Sequence, residues 1–276
     1  MALTAERMAT CDPVWARMRE DVAEQAAREP ILASHLHATI LRHERLEESL
    51  SYLLAQKLGG SDVSPMLLRE VFEEALEADP TIGEAVRADL VAVLDRDPAC
   101  RSYAQAFLFF KGFMALESQR VAHWLWKRGR EPIALYLQSR MSQLFGVDVH
   151  PNARLGRGIM MDHATGIVIG ETAVVEDNVS MLHGVTLGGT GKVGGDRHPK
   201  VRRDVLIGTG AKILGNIEVG AGSRVAAGSV VLKDVPAGCT VAGVPARVVG
   251  CAGCEHPAQA MDHRIDESGD PGSYQI

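Results

Sequence analysis

Two hydrophobic periods divide the chain. Over about the first 145 residues, apolar positions recur at three- and four-residue spacing, the pattern of helices with one buried face. Leu46, Leu50, Leu53 and Leu54 share one such face. So do Leu67, Leu68, Val71, Phe72 and Leu76, and then Ile82, Val86, Leu90, Val93 and Leu94. Ser64-Pro65 predicts an N-cap with proline in the first turn. Thr81 to Glu84 fits a capping box, and Asp97-Pro98 reads as another cap followed by proline. An apolar stretch runs from Tyr103 through Phe107, Phe110 and Phe113 to Leu116, and shorter helices are predicted over 120–127 and 132–144. No strand-like alternation interrupts this half.

After about Gly146 the period becomes six. Ile169, Val175, Met181 and Leu187 form one series, resumed at Ile207, Ile213, Val219, Val225 and Val231. A second runs through Ile167, Ala173, Val179 and Val185, with Gly208, Gly220 and Gly228 between units. This is the hexapeptide signature of a parallel β-helix. Each unit supplies a short strand and a turn, and three units close a triangular coil. Stacked coils bury the aliphatic row that one coil cannot. Residues 188–204 break the period and are predicted to loop out from a corner, where such insertions face ligands. The repeat is expected to stop near Gly243-Val-Pro-Ala-Arg247. The predicted organisation is an α+β multidomain chain: an all-α N-terminal domain over 1–145, a parallel β-helix over 146–250, and a polar tail over 251–276 that is flexible or partner-dependent.

Composition agrees with a narrow coil: aromatic residues are 5% of the chain, while glycines number 28. A net charge of −6 argues against nucleic acid, and no apolar run reaches membrane-spanning length. The N-terminus lacks a secretory pattern. Cys11, Cys100, Cys239, Cys251 and Cys254 are too scattered for a disulfide framework and point to a reducing cytoplasm. Cys251 and Cys254, despite their spacing, read as incidental thiols.

Histidine is the natural general base near neutral pH, and His163, His183 and His198 lie in or beside the coil. His163 is the leading candidate, two residues after the hexad position Met161, with Asp148, Asp162 and Glu171 nearby in sequence. Gly189 to Gly194 fits G-x-G-x-x-G formally, but it opens no helix in a βαβ unit and so is no dinucleotide site. The cluster Arg197, His198, Lys200, Arg202 and Arg203 is either a solvated loop or an anion site. His163 and His183 lie about one coil apart, so zinc held across a trimer interface is a rival chemistry.

Seven segments together resemble serine acetyltransferases: Lys111-Gly-Phe-Met-Ala-Leu116, His123-Trp-Leu-Trp126, Asp148-Val-His-Pro151, Gly158-Ile-Met-Met-Asp-His-Ala-Thr-Gly166, Gly188-Gly-Thr-Gly191, Gly195-Asp-Arg-His-Pro-Lys200 and Gly243-Val-Pro-Ala-Arg247. The resemblance implies a left-handed coil, against the usual right-handed crossover. It implies trimers through the coils, dimers of trimers through the helices, and active sites between neighbouring coils. The implied reaction passes acetyl from acetyl-CoA to L-serine, the first step of cysteine biosynthesis, without a metal. His163 is the implied base and Asp148 its partner carboxylate. Asp97 and Asp162 would hold the ammonium of serine, and Arg197 and His198 its carboxylate. CoA would run past Gly189, Thr190, Thr209, Lys212, Ala226 and Lys233. L-Cysteine is the implied feedback inhibitor, and Ile276 would enter O-acetylserine sulfhydrylase. The alternatives are a hexapeptide acyltransferase for another hydroxyl or amine, a trimeric zinc hydratase, and a scaffold whose tail recruits an enzyme.

Overall fold

A computed structural model describes residues 12–191, 194–251, 254 and 256–264. Its first half is helical: α1 (Pro13–Arg28), α2 (Pro30–Leu36) running into a π-helical turn at His37–Leu41, α3 (Leu46–Leu58), α4 (Pro65–Ala78), α5 (Pro80–Arg96), α6 (Tyr103–Phe109), α7 (Lys111–Lys127) and α8 (Glu131–Phe145). The predicted faces are buried, apart from Val71 and Leu94, which are half-buried, and Leu67. Leu67 is exposed beside Met66 in the first turn of α4, and the buried stripe there is Leu68, Phe72, Ala75 and Leu76.

The caps differ from expectation at two places. α5 starts at Pro80, not Thr81, with the Asp79 side chain accepting the Thr81 N–H at 3.2 Å. Proline suits the first helical position and keeps its predecessor out of the helix. Asp97 closes α5 instead of opening a helix, and its carboxylate accepts the Ala99 N–H at 2.8 Å. The next helix starts only after Ser102, which caps Gln105 N at 3.2 Å.

Helix α7 is buried almost all round and lies between the helical layer and the first coil. Its polar side chains serve backbone groups of that coil. Gln119 donates to Ala153 O at 2.9 Å, and His123 Nδ1 lies 2.8 Å from Pro151 O. Arg120 bonds Asp89 of α5, whose other oxygen accepts the Ile159 N–H at 2.7 Å. Glu117 completes this buried group, its carboxyl 3.2 Å from Arg120 Nε.

The second half is the coil. Sheet A stacks β1 (Val147–Val149), β4 (Ile167–Ile169), β7 (Thr186–Gly188), β10 (Lys212–Leu214) and β13 (Val230–Val231). Sheet B stacks β2 (Arg154–Leu155), β5 (Val174–Val175), β8 (Lys200–Val201) and β11 (Glu218–Val219). Sheet C stacks β3 (Met160–Asp162), β6 (Ser180–Leu182), β9 (Leu206–Ile207), β12 (Arg224–Val225), β14 (Thr240–Gly243) and β15 (Ala246–Gly250). All neighbours are parallel except β14 and β15. Every residue of both six-step series points inward and is at most 2% exposed. The antiparallel return of β15 ends the ladder where the proline was expected to stop it.

Two expectations need correcting. Cys251 is not an incidental thiol: it forms a disulfide with Cys239, while Cys100 and Cys254 are free. Sequence spacing could not reveal that β15 folds back beside Cys239. Part of the tail is also docked. A helical turn, α9 (Pro257–Ala260), packs on sheet C, where Ser180 Oγ donates to Ala258 O at 2.9 Å and Arg224 pairs with Asp262 at 2.8 Å. Polar tail residues find partners because outward positions of sheet C are themselves polar. No helix among the described residues is long and apolar enough to cross a membrane.

Candidate active site

The triangular coil has a corner where sheet C turns into sheet A, and His163 stands on its first level. The backbone at this corner climbs by one bond per coil: Gly184 N–H donates to Thr165 O at 2.8 Å, Gly210 to His183 O at 2.9 Å and Gly228 to Thr209 O at 2.7 Å. The His163 side chain is 78% exposed. Its Nε2 lies 3.8 Å from Asp162 Oδ1. The ring of His183, one level up, meets it edge-on with centroids 6.1 Å apart.

Beside His163 opens a cavity of about 380 Å³, lined by Asp97, Gln105, Lys111, Asp162 and His163 among polar groups and by Phe110, Phe113, Met160 and Met161 among apolar ones. The end of α5, the α6–α7 junction and β3 thus bring Asp97 to Asp162 across 65 residues of sequence, from 97 to 162. Two carboxylates facing a small cavity suit a cationic amine.

Arg197 and His198 sit at a different corner, where sheet A turns into sheet B. Arg197 Nη2 pairs with Glu171 at 2.6 Å, which holds that carboxyl below its usual range through the hydrogen bond. Glu171 therefore serves this corner and makes no ion pair with His163. His198 is buried, and Thr172 fixes its tautomer. The amides of Arg197 and His198 donate to Thr172 Oγ1 at 3.0 and 3.1 Å, so the hydroxyl proton is free to go to His198 Nδ1, 2.9 Å away. The Thr172 N–H also donates to Nδ1 at 3.2 Å. With Nδ1 accepting twice, the ring proton lies on Nε2. Burial, and then the charge of Arg197, lower the His198 pKa and keep the ring neutral. The corner thus offers a guanidinium and a ring N–H, a donor pair for a carboxylate. Gly170 makes room for this ring, since a β-carbon there would stand 2.1 Å from it.

The remaining candidates divide between the corners. Thr209 and Ala226 rise above His163, whereas Gly189, Thr190 and Lys233 lie at the His198 corner. Lys212 donates its ammonium to the Gly184 carbonyl of the coil below. Asp148 is on β1, where Gln138 of α8 donates to it at 2.7 Å, and no hydrogen bond or ion pair among the described residues joins it to His163. The three histidines do not converge within one chain, because His198 occupies the other corner. Ile276 lies outside the described residues. Thr172, Gly170 and Gln138 escaped the sequence reading: a threonine after a glutamate carries no signal until the loop end folds onto it.

Comparison with known proteins agrees on both halves. The family "Serine acetyltransferase, N-terminal" matches residues 14–118, and "Bacterial transferase hexapeptide (six repeats)" matches residues 198–233. Serine acetyltransferase from Salmonella typhimurium is 53% identical over 253 residues, covering 92% of this chain and 93% of its own. The crystal structure of Serine acetyltransferase in complex with Coenzyme A from Brucella abortus strain S19 superposes with a TM-score of 0.88 at 55% identity, covering 91% of this chain and all of that one (100%). A serine acetyltransferase in complex with cysteine superposes with a TM-score of 0.90 at 51% identity, covering 92% and 98%.

Proposed function

We propose a residue-by-residue mechanism from one premise: this chain belongs to the serine acetyltransferase family, and its coil is the left-handed hexapeptide β-helix. It transfers acetyl from acetyl-CoA to the hydroxyl of L-serine, giving O-acetyl-L-serine and CoA.

His163 acts as general base. It takes the proton from the serine hydroxyl as that oxygen attacks the thioester carbonyl carbon. The tetrahedral intermediate collapses with cleavage of the carbon–sulfur bond, and the imidazolium returns the proton to the departing CoA sulfur. Asp97 and Asp162 hold the serine ammonium in the cavity beside the base. Asp148 supports the imidazolium by its charge, held in place by Gln138. Arg197 and His198 bind the serine carboxylate, and Gly189, Thr190, Thr209, Lys212, Ala226 and Lys233 line the path of CoA. Helices over 1–145 contribute Asp97, the coil over 146–250 the rest, and 251–276 the tail.

The separation of the two corners is the observation that carries the assembly. One chain cannot apply His163 and His198 to one serine. A neighbour rotated about a threefold axis presents its A–B corner to this chain's C–A corner, a head-to-tail contact that closes as a trimer. Exposed Val168 on the outer side of sheet A supports cover by that neighbour, and exposed Ile31 and Met66 on the helices support pairing of two trimers. L-Cysteine carries the same ammonium and carboxylate as serine, so it competes for the same groups as feedback inhibitor. We assign the enzyme to the cytoplasm, with Ile276 as its contact to O-acetylserine sulfhydrylase.

Thiol release from acetyl-CoA with L-serine, against a panel including homoserine and simple amines, tests the reading. His163→Ala is expected to lower kcat by about 10²- to 10⁴-fold with the fold intact. Normal turnover in that variant, or equal use of every acceptor, would refute it.

A further inference from the structure

The turn that carries His163 holds a conformation its own residues disfavour. His163 at φ 53° and Ala164 at φ 58° both lie in the left-handed region. There a β-carbon crowds the backbone, and two successive residues other than glycine are uncommon. Such a pair persists only where its surroundings over-determine it. Within the turn Ala164 N–H donates to Asp162 O at 2.5 Å, Thr165 N–H to His163 O at 2.8 Å and Ile167 N–H to Ala164 O at 3.0 Å.

Further constraints come from the helical half. Helix α7 begins against this turn, and a β-carbon on Gly112 would stand 2.1 Å from Met161 O and 3.1 Å from the Ala164 methyl. Ala164 is fully buried at that contact. Lys111 donates its ammonium to Thr165 Oγ1, on the far side of His163. Upstream, Asp89 holds the Ile159 N–H at 2.7 Å. The chain is thus fixed before and after the histidine, while the imidazole itself projects into solvent.

We propose that Gly112 and Lys111 are positioning residues for His163: the first turn of α7 wedges against β3 and keeps the left-handed pair in place, which aims the imidazole. The inference rests on His163 being the base. Gly112 acts because only a residue without a β-carbon lets the helix approach a backbone carbonyl this closely. Lys111 acts through Thr165. Because Lys111 also lines the acceptor cavity, direct binding of serine is its rival role.

Gly112→Ala tests the aim: alanine suits the helix itself, but its β-carbon meets a backbone carbonyl, so the thermal midpoint is expected to fall as helix and turn shift apart. The expected result is a kcat reduced on the order of 10-fold or more, because small misplacements of a catalytic group are costly. The KM for acetyl-CoA of the assembled protein should stay near wild type. Should Gly112→Ala fail to assemble, Lys111→Met and Thr165→Val decide. Each is expected to lower kcat several-fold, and the double variant no more than the worse single one. Wild-type kcat in an assembled Gly112→Ala protein would overturn the proposal. So would a Lys111→Met effect confined to the serine KM, or losses that multiply in the double variant. If His163→Ala itself turns over normally, the assignment of the base has failed; if only the α7 variants are normal, the wedge has failed and the base stands.

Discussion

At the scale of single residues, the site is a set of proton positions. In the proposed mechanism His198 binds the serine carboxylate only with its proton on Nε2, and Thr172 decides that position. Thr172→Val removes the hydroxyl that accepts two amides and donates to Nδ1. It is expected to raise the serine KM by roughly 10-fold, in line with about 1–3 kcal/mol for buried partners left unsatisfied, while the acetyl-CoA KM is held. Steady-state kinetics with each substrate varied checks this, and an unchanged serine KM would detach Thr172 from the site. His198 is buried in the loop that breaks the period, whereas His163 and His183 were legible, because a corner residue after a hexad position is displayed outward. The partner of each was not. Glu171 lies close to His163 in sequence, yet the coil turns between them and delivers it to Arg197. Asp97 was visible as a family match and as a helix start; it closes α5 instead, because the proline after it keeps Asp97 out of the helical region.

At the scale of elements, the six-residue period was the most readable feature, because one inward position per unit leaves little freedom in how the coil closes. Helix α7 was the least readable. It bears Glu117, Gln119 and Arg120, which imply a solvent face, yet all three are buried. Their partners come from α5 and the first coil, which no local pattern records. Burial pushes the Glu117 carboxyl well above its ordinary value, so it stays protonated beside the Asp89 carboxylate, which Arg120 and the Ile159 N–H stabilise. The sign of the linkage follows. Glu117 has a raised folded value, so between its unfolded value near 4.5 and that raised value the folded chain keeps a proton the unfolded chain has lost. Stability contributed by this group is therefore full below that window and falls as pH rises through it. Glu117→Gln, permanently neutral and of the same shape, removes the loss. Its stability relative to wild type is expected to grow with pH, by at most about 1.4 kcal/mol per unit. Denaturant unfolding from pH 5 to 8 measures the difference; a variant less stable than wild type at the upper end would mean that Glu117 is ionised in the folded chain.

At the scale of the whole molecule, the division of the site between corners leads to a mixing experiment. Chains bearing His163→Ala and chains bearing Arg197→Ala should each be inactive alone. Unfolded together and reassembled in equal amounts into the proposed trimers, they would unite an intact His163 with an intact Arg197 at about one quarter of the interfaces. Activity should return to about that fraction of wild type. No recovery in properly assembled mixed trimers would show that both residues act from one chain, which the geometry of the coil opposes. The sequence supplied the corners but not their distance: a hexapeptide count says which residues share a level, and only the closed triangle says that two of them face apart.

The two-cornered chain also has a consequence for inheritance. In the proposed trimer the ring owns three workplaces, each staffed by two neighbours, so a copy defective at one corner would silence one of them. A copy defective at both silences two, although it contributes one third of the ring. Lesions that spare assembly while striking both corners should therefore be partly dominant, and lesions that prevent assembly should be recessive.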